Sequence, residues 1–284
     1  MKVRKAVITA AGTNQRTLPL QTLIDRDGVE KPLLRILLEE VRSARIEEVC
    51  VVIAPGDEPL YIQAAGDLAP MVRFIEQQAR RGYGHAIYCA KPFAGSEPFL
   101  HLVGDHVYLS PSDGGCARHL VELAEREQCA VSSVQSTREN RIGRYGTIGG
   151  QPVHGQIDLY RIERVIEKPT PTEAEEHLIV PGMRAAYYLC FFGMHVLTPT
   201  VMDILEPTVL RSDGRVPLTE ALDQLARREQ YLAMTETCHR YDVGIPYGLL
   251  TAQLALALSG RDRQEILSQL VELLAVQSMA APKN

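Results

Sequence analysis

The sequence predicts an α/β fold: a mostly parallel sheet with helices on both faces. Two observations carry this. Short apolar runs alternate with segments whose apolar residues recur near the 3.6-residue period, the pattern of successive strand–helix units. In addition, Val7-Ile8-Thr9-Ala10-Ala11-Gly12 runs from a buried strand into a glycine turn that carries Arg16 and stops at Pro19. In such a turn backbone N–H groups point inward and a guanidinium adds bidentate hydrogen bonds, which suits a phosphate. Read alone, it is equally an ordinary tight βα turn.

The elements follow in order. Lys5–Ala11, Val49–Ala54, Val72–Ile75, Phe99–Val103 and Ala130–Val134 are short apolar runs, expected as buried strands. Between them, Pro32–Ala44, Pro59–Leu68, Gly84–Lys91 and Gly115–Glu127 carry the helical period. Ligands in such a sheet belong at the carboxyl ends of the strands. The second half is less regular. Tyr145–Ile148, Ile162–Ile166 and Ala185–Gly193 suggest strands, some antiparallel, and Pro199–Leu205, Leu218–Arg228 and Pro246–Leu258 suggest helices. Arg261–Val276 reads as an amphipathic helix and Ser278–Asn284 as a frayed end. With no internal repeat or low-complexity linker, the chain reads as one domain over residues 1–260, followed by a C-terminal helix and tail at 261–284.

Composition narrows the function. The 284 residues are 45% hydrophobic with a formal net charge of -5, ordinary for a soluble globular protein. This mildly acidic balance argues against coating nucleic acid or binding an anionic membrane, while a few local Arg and Lys residues suffice for an anionic substrate. The six cysteines (Cys50, Cys89, Cys116, Cys129, Cys190, Cys238) show neither a C-x-x-C pair nor zinc spacing. Most lie in apolar runs, so all are expected as reduced core residues of a cytoplasmic protein. Met1–Lys5 leads into a strand and lacks the features of a signal peptide. The run Leu249–Leu258 is interrupted by Gln253 and too short to cross a bilayer.

Several motifs then follow in sequence. Gln77 to Ala86 opens a helix after the third strand. A glutamine amide offers donor and acceptor together, which suits a base edge, and Gly82 and Gly84 allow close backbone approach. The plainer reading is a polar loop with a glycine at the helix start. Asp105, after Val103-Gly104, and Asp242, in Tyr241-Asp242-Val243-Gly244, each place a carboxylate behind an apolar segment. Two such aspartates can share a Mg²⁺ whose other ligands are phosphate oxygens, and either alone is also a common helix cap. His85 and His106 have no partner at ligand spacing. Glu167-Lys168 ends a strand, where neighbours point to opposite faces and so serve different parts of a substrate. A surface ion pair is the alternative.

The ordered set resembles the sugar-1-phosphate nucleotidyltransferases, most closely the bacterial UTP–glucose-1-phosphate uridylyltransferases, over roughly Lys5 to Leu258. It comprises Ala10-Ala11-Gly12 with Arg16 and Leu18-Pro19, then Lys31-Pro32-Leu33, the Gln77–Ala86 loop and Asp105. Tyr145-Gly146, Glu167-Lys168-Pro169, Leu218-Thr219-Glu220-Ala221 and Asp242-x-Gly244 follow. The resemblance implies a Rossmann-like α/β/α sandwich with a mostly parallel mixed sheet, the nucleotide-diphospho-sugar transferase fold. It also implies UTP and a sugar 1-phosphate as substrates, Mg²⁺ as cofactor and a homo-oligomer. Residue by residue, Ala10, Ala11 and Gly12 would cradle the triphosphate, with Arg16 on the departing pyrophosphate. Gln77 and Gly82 would read the base, and Asp105 and Asp242 would hold Mg²⁺. Gly146 and Glu167 would position the hexose, and Lys168 would bind its phosphate.

The first loop departs from the family pattern. Asn14 and Gln15 replace a glycine and a threonine, and the segment before Lys31 is about three residues short. An ungapped match puts Arg26 where a lysine touching the triphosphate is expected. Arg26 is accordingly expected to take over that contact. The altered loop also sustains other readings: a catalytically weak paralogue that binds sugar nucleotides and regulates a partner, or a transferase using thymidine nucleotides or another sugar. A dinucleotide-binding protein is disfavoured because the remaining glycines of G-x-G-x-x-G are missing, and a P-loop kinase because no G-K-[ST] occurs.

Overall fold

A computed structural model describes residues 1–13, 16–111, 114–211, 214–235 and 237–280, with side chains to 276. In chain order the elements are β1 (Lys5–Thr9), β2 (Thr22–Ile24), β3 (Glu30–Pro32), α1 (Leu33–Ser43), β4 (Glu48–Ile53) and α2 (Glu58–Ala65). Next come β5 (Val72–Glu76), α3 (Tyr83–Cys89), α4 (Lys91–Ala94), β6 (Phe99–Val103), β7 (His106–Leu109) and α5 (Cys116–Glu127). The second half holds β8 (Ala130–Arg138), β9 (Gly146–Pro152), β10 (Leu159–Glu167), α6 (Pro171–His177), β11 (Tyr187–Leu197) and α7 (Thr200–Arg211). It ends with α8 (Leu218–Arg228), β12 (Tyr231–Thr235), β13 (His239–Asp242), α9 (Gly248–Ser259) and α10 (Arg263–Ala280).

Nine strands form one sheet in the order β5-β4-β1-β6-β11-β8-β12-β10-β9. The pairings set β10 and β11 against the common direction of the others, so the sheet is mixed but mostly parallel. A further β11–β9 pairing curls the β11-β8-β12-β10-β9 half back on itself, helped by an irregularity between Ile162 and Arg164 of β10. Alternation along the strands separates two cores. Ile8, Leu100 and Leu102 face one side with Leu34, Leu37 and Leu38 of α1 and Leu120 of α5. Val7 and Phe99 face the other with Ile87 of α3, Met202 of α7 and Leu222 of α8.

Two expectations are corrected. Cys116, opening α5, and Cys238, just before β13, form a disulfide with Cα atoms 6.1 Å apart, so not all six cysteines are free thiols. Both lie in segments that look like separate core stretches in the sequence, and the fold brings those stretches together. The C-terminal helix α10 does not bury an apolar stripe, because Leu267, Val271 and Leu274 are exposed. Of the frayed end expected over Ser278–Asn284, residues 278–280 instead continue α10, and 281–284 lie outside the described residues. Among the described residues no helix is long and apolar enough to cross a membrane.

A buried polar chain crosses the second core. His101 Nδ1 donates to the Val7 carbonyl at 2.8 Å, and its Nε2 accepts from Tyr83 Oη at 2.6 Å. The His195 ring stacks on His101 with centroids 5.9 Å apart and meets Ser132 Oγ at 2.5 Å. Burial pushes the His101 pKa down to about 4 and holds His195 well below its ordinary value. In the unfolded chain both titrate near 6.5, so below that pH the unfolded state binds more protons. Stability is therefore full above pH ~6.5 and falls towards pH ~4, with each imidazole adding a slope of up to about 1.4 kcal/mol per pH unit. We expect the melting temperature to drop progressively from pH 6.5 to 4.5; a flat profile there would contradict the buried-neutral assignment.

Candidate active site

The carboxyl ends of β1 and β6 meet at Gly104. Its N–H donates to the Thr9 carbonyl at 3.0 Å, and a Cβ here would stand 2.8 Å from that oxygen. This close approach delivers Asp105 to the end of β1. From the other direction β13 pairs antiparallel with β7, setting Asp242 opposite His106. Val243 N–H donates to the Asp105 carbonyl at 2.9 Å. The side-chain donor atoms of Asp105, His106 and Asp242 consequently lie within 4.8 Å of one another.

Gly244 N–H donates to Asp242 Oδ1 at 2.8 Å, and His106 Nδ1 lies 2.8 Å from Asp105 Oδ1. His106 thus pairs with the residue immediately before it. Its bond orients the Asp105 carboxylate, as outer-shell groups orient metal ligands. Two converging carboxylates fit a hard divalent cation such as Mg²⁺.

The first loop lies beside this pair. Asn14 and Gln15 fall outside the described residues. Ala10 and Ala11 are buried, and Ala10 N–H donates to the Val52 carbonyl at 2.8 Å. The Arg16 carbonyl accepts from Tyr61 Oη at 2.7 Å, and its Nε donates to Asp57 Oδ2 at 2.8 Å. That hydrogen bond, with the charge of Asp57, raises the Arg16 pKa. Leu18, at the end of the loop, packs over Gly244.

Arg26 is not brought to this site. It sits in the turn of the β2–β3 hairpin, where Asp25 N–H donates to the Val29 carbonyl at 2.9 Å. Its Nη1 donates to the Ser110 carbonyl at 3.4 Å, and its own carbonyl accepts from Arg261 N–H at 2.9 Å. Ser110 follows the end of β7 remote from Asp105, about 16 Å along an extended strand. The ungapped placement fails because the shortened segment folds into a hairpin. Lys31 is no substitute, being paired with Asp25 at 2.6 Å and Glu39 at 2.8 Å. Arg26→Ala is expected to keep turnover within a few-fold of wild type, while Arg16→Ala loses on the order of a hundredfold. Steady-state kinetics on both variants checks this, and a hundredfold loss in Arg26→Ala would restore the catalytic role.

Gln77 follows β5, its N–H bonded to the Ile53 carbonyl at 2.8 Å. The side-chain Nε2 donates to the Gly82 carbonyl at 3.2 Å and lies 2.9 Å from His85 Nδ1. Because a carbonyl only accepts, this fixes the amide: both N–H groups are used and Oε1 is left as an acceptor. Burial lowers the His85 pKa, favouring the neutral ring that accepts through Nδ1. Arg80 Nη1 donates to Thr13 Oγ1 at 3.2 Å, tying this loop to the first one.

Beyond Gly82, Tyr83 lines a cleft of about 980 Å³ together with Glu167, Lys168 and Thr219. Glu167 Oε2 accepts from Thr219 Oγ1 at 2.5 Å. A Cβ on Gly146 would meet the Phe191 ring at 2.9 Å and Glu167 Oε2 at 3.3 Å, so this glycine keeps the floor beside Glu167 open. Lys168 does not oppose Glu167 across the sheet as the sequence suggested. It leaves β10 in the left-handed conformation (φ 48°) with Nζ 3.8 Å from Glu167 Oε1, so both side chains serve the same cleft.

Asp57, Tyr83, Thr219 and His106 were missed as supporting residues. Tyr83 and Thr219 lie inside the Gln77–Ala86 and Leu218–Ala221 motifs, whereas Asp57 pairs with Arg16 across 41 residues and leaves no local pattern.

The profile of the nucleotidyl transferase family matches residues 5–258. A UTP–glucose-1-phosphate uridylyltransferase from Bacillus subtilis is 27% identical, covering 95% of this chain and 97% of its own. A UTP–glucose-1-phosphate uridylyltransferase 1 from Streptococcus pyogenes serotype M3 is 30% identical, with 90% of each chain covered. Among solved structures, a UDP-glucose pyrophosphorylase complexed with UDP-glucose superposes with a TM-score of 0.73 at 23% identity, covering 89% of this chain and 98% of that one. A UTP-bound UGPase from Acinetobacter baumannii gives 0.72 at 20% identity, covering 95% and 98%. These two share the fold. The chain belongs to the nucleotidyl transferase family.

Proposed function

We propose that the protein transfers uridylyl from UTP to glucose 1-phosphate, giving UDP-glucose and pyrophosphate, as its curated relatives are named for doing. The observation that carries the reading is the convergence of Asp105 and Asp242 beside the Ala10–Gly12 loop. These carboxylates would hold Mg²⁺, which when bound neutralises charge on the phosphates. A phosphate oxygen of the sugar 1-phosphate attacks the α-phosphorus of UTP in line, and the bond to the β-phosphate breaks as pyrophosphate leaves. No protein nucleophile is required, so the chain's task is alignment and charge compensation. Glu167, steadied by Thr219, accepts from hexose hydroxyls, and Lys168 beside it compensates the sugar phosphate. Arg16, anchored on Asp57, supports the triphosphate loop.

Base choice follows from Gln77 and Gly82. The free Oε1 acceptor and the Gly82 N–H, which has no acceptor among the described residues, match the imino N–H and keto oxygen of uracil in order. Adenine and cytosine present that pair reversed, and an unpaired buried group costs about 1–3 kcal/mol. UTP is expected to bind ten- to a hundredfold tighter than ATP or CTP, and Gln77→Ala to flatten the difference; calorimetry showing ATP tightest would contradict this. The alternative of a catalytically weak, regulatory paralogue draws on one observation, that Arg26 does not reach the triphosphate loop. Pyrophosphate release measured over a matrix of nucleoside triphosphates and sugar 1-phosphates tests the function. Release confined to UTP or dTTP with glucose 1-phosphate supports it, and none in any combination overturns it.

A further inference from the structure

A cavity of about 490 Å³ lies where β8 ends and β13 begins its approach to the metal carboxylates. Arg138, Arg141 and Arg240 line it, with Tyr145 and Tyr187. Arg138 and Arg240 are held by neutral groups. Arg240 stacks 4.6 Å from the Tyr145 ring centre and donates Nη1–H to the Phe191 carbonyl at 2.8 Å. Arg138 donates Nε–H to Tyr187 Oη at 2.9 Å, and Arg184 lies over the same ring at 5.4 Å. Among the described residues none of these guanidinium groups has a carboxylate within ion-pair distance. By contrast, Arg16, Arg35, Arg164 and Arg227 are each paired.

Aromatic and carbonyl supports orient a guanidinium without cancelling its charge, so the concavity keeps a positive field. Asp242 is the single carboxylate in the lining, against three arginines. The volume suits a small molecule, and forked donors of this kind match phosphate oxygens bidentately.

We propose that this cavity is a second anion site that binds a small phosphorylated molecule. It is separate from the cleft assigned to UTP and hexose. Of the residues given to substrate or metal only Asp242 lines it, while Gln77, Gly82, Asp105, Gly146, Glu167 and Lys168 do not. Arg240 and Asp242 stand two apart on β13, hence on one face, so an anion here lies against the strand that presents a metal carboxylate. The site does not depend on the identity of the reaction.

The test uses inorganic phosphate as the ligand, titrated calorimetrically into the intact protein saturated with UTP, which occupies the triphosphate loop. Saturable phosphate binding is expected, weakened at least tenfold in the Arg138→Ala/Arg141→Ala double variant and unchanged in Arg16→Ala. Both replaced residues are exposed, and an unaltered melting temperature confirms that the double variant is folded. Absence of saturable binding in the wild type, equal binding by the double variant, or loss of binding in Arg16→Ala would each overturn the proposal.

Discussion

Asp105→Ala and Asp242→Ala are each expected to lower turnover by about a thousandfold or more, on the order of what losing a charge-compensating metal ligand costs, and to leave the protein folded. The two carboxylates reach one place from different directions, Asp105 past Gly104 and Asp242 through the β7–β13 ribbon, so neither can replace the other. Asp105→Asn keeps the shape and an acceptor for His106 while removing the charge, which separates loss of metal from loss of packing. Turnover with Mg²⁺ and the melting temperature, recorded for all three variants, check this. Near-normal turnover in either alanine variant would remove the shared metal site.

Gly248→Ala is expected to damage both stability and the site. A Cβ at this position would stand 2.0 Å from the Asp242 carbonyl oxygen and 3.0 Å from Val243 Cα, all of it backbone with no side chain to swing aside. The start of α9 or the end of β13 has to move. Overpacking of this severity costs about 3 kcal/mol or more. Because Asp242 is the residue struck, affinity for the divalent cation falls with it. Chemical denaturation and a Mn²⁺ titration followed by electron paramagnetic resonance measure the two effects. A variant with wild-type midpoint and wild-type Mn²⁺ affinity would show that the junction yields freely.

Much of the fold was legible because its core elements are long enough to show a period. Phe99–Val103 and Leu218–Arg228 fall where the apolar pattern puts them, and α1 buries Leu33, Leu34, Leu37, Leu38 and Val41 on one face. The period fails where elements are short or polar. The β7–β13 ribbon pairs His-Val-Tyr-Leu with His-Arg-Tyr-Asp, four residues each, and neither stretch announces a strand. The β2–β3 hairpin has three residues a side, and missing it put Arg26 in the wrong place. Helix α7 continues through Pro207 to Arg211, although a proline within a helix normally ends it. At the site, single residues behind strands were readable because chemistry collects at strand ends. Pairings across the chain were not: Asp57 with Arg16, Thr219 with Glu167 and Cys116 with Cys238 depend on tertiary contact alone.

The most direct test follows the phosphorus atoms. The purified protein is mixed with UTP, glucose 1-phosphate and Mg²⁺ and observed by ³¹P nuclear magnetic resonance, in parallel with a sample containing excess EDTA. The expected result is matched growth of UDP-glucose and pyrophosphate signals, at least a thousandfold slower in EDTA and equally slow in Asp105→Ala. Failure of the wild type to form UDP-glucose, or formation at the same rate in EDTA, would contradict uridylyl transfer at a cation held by Asp105 and Asp242.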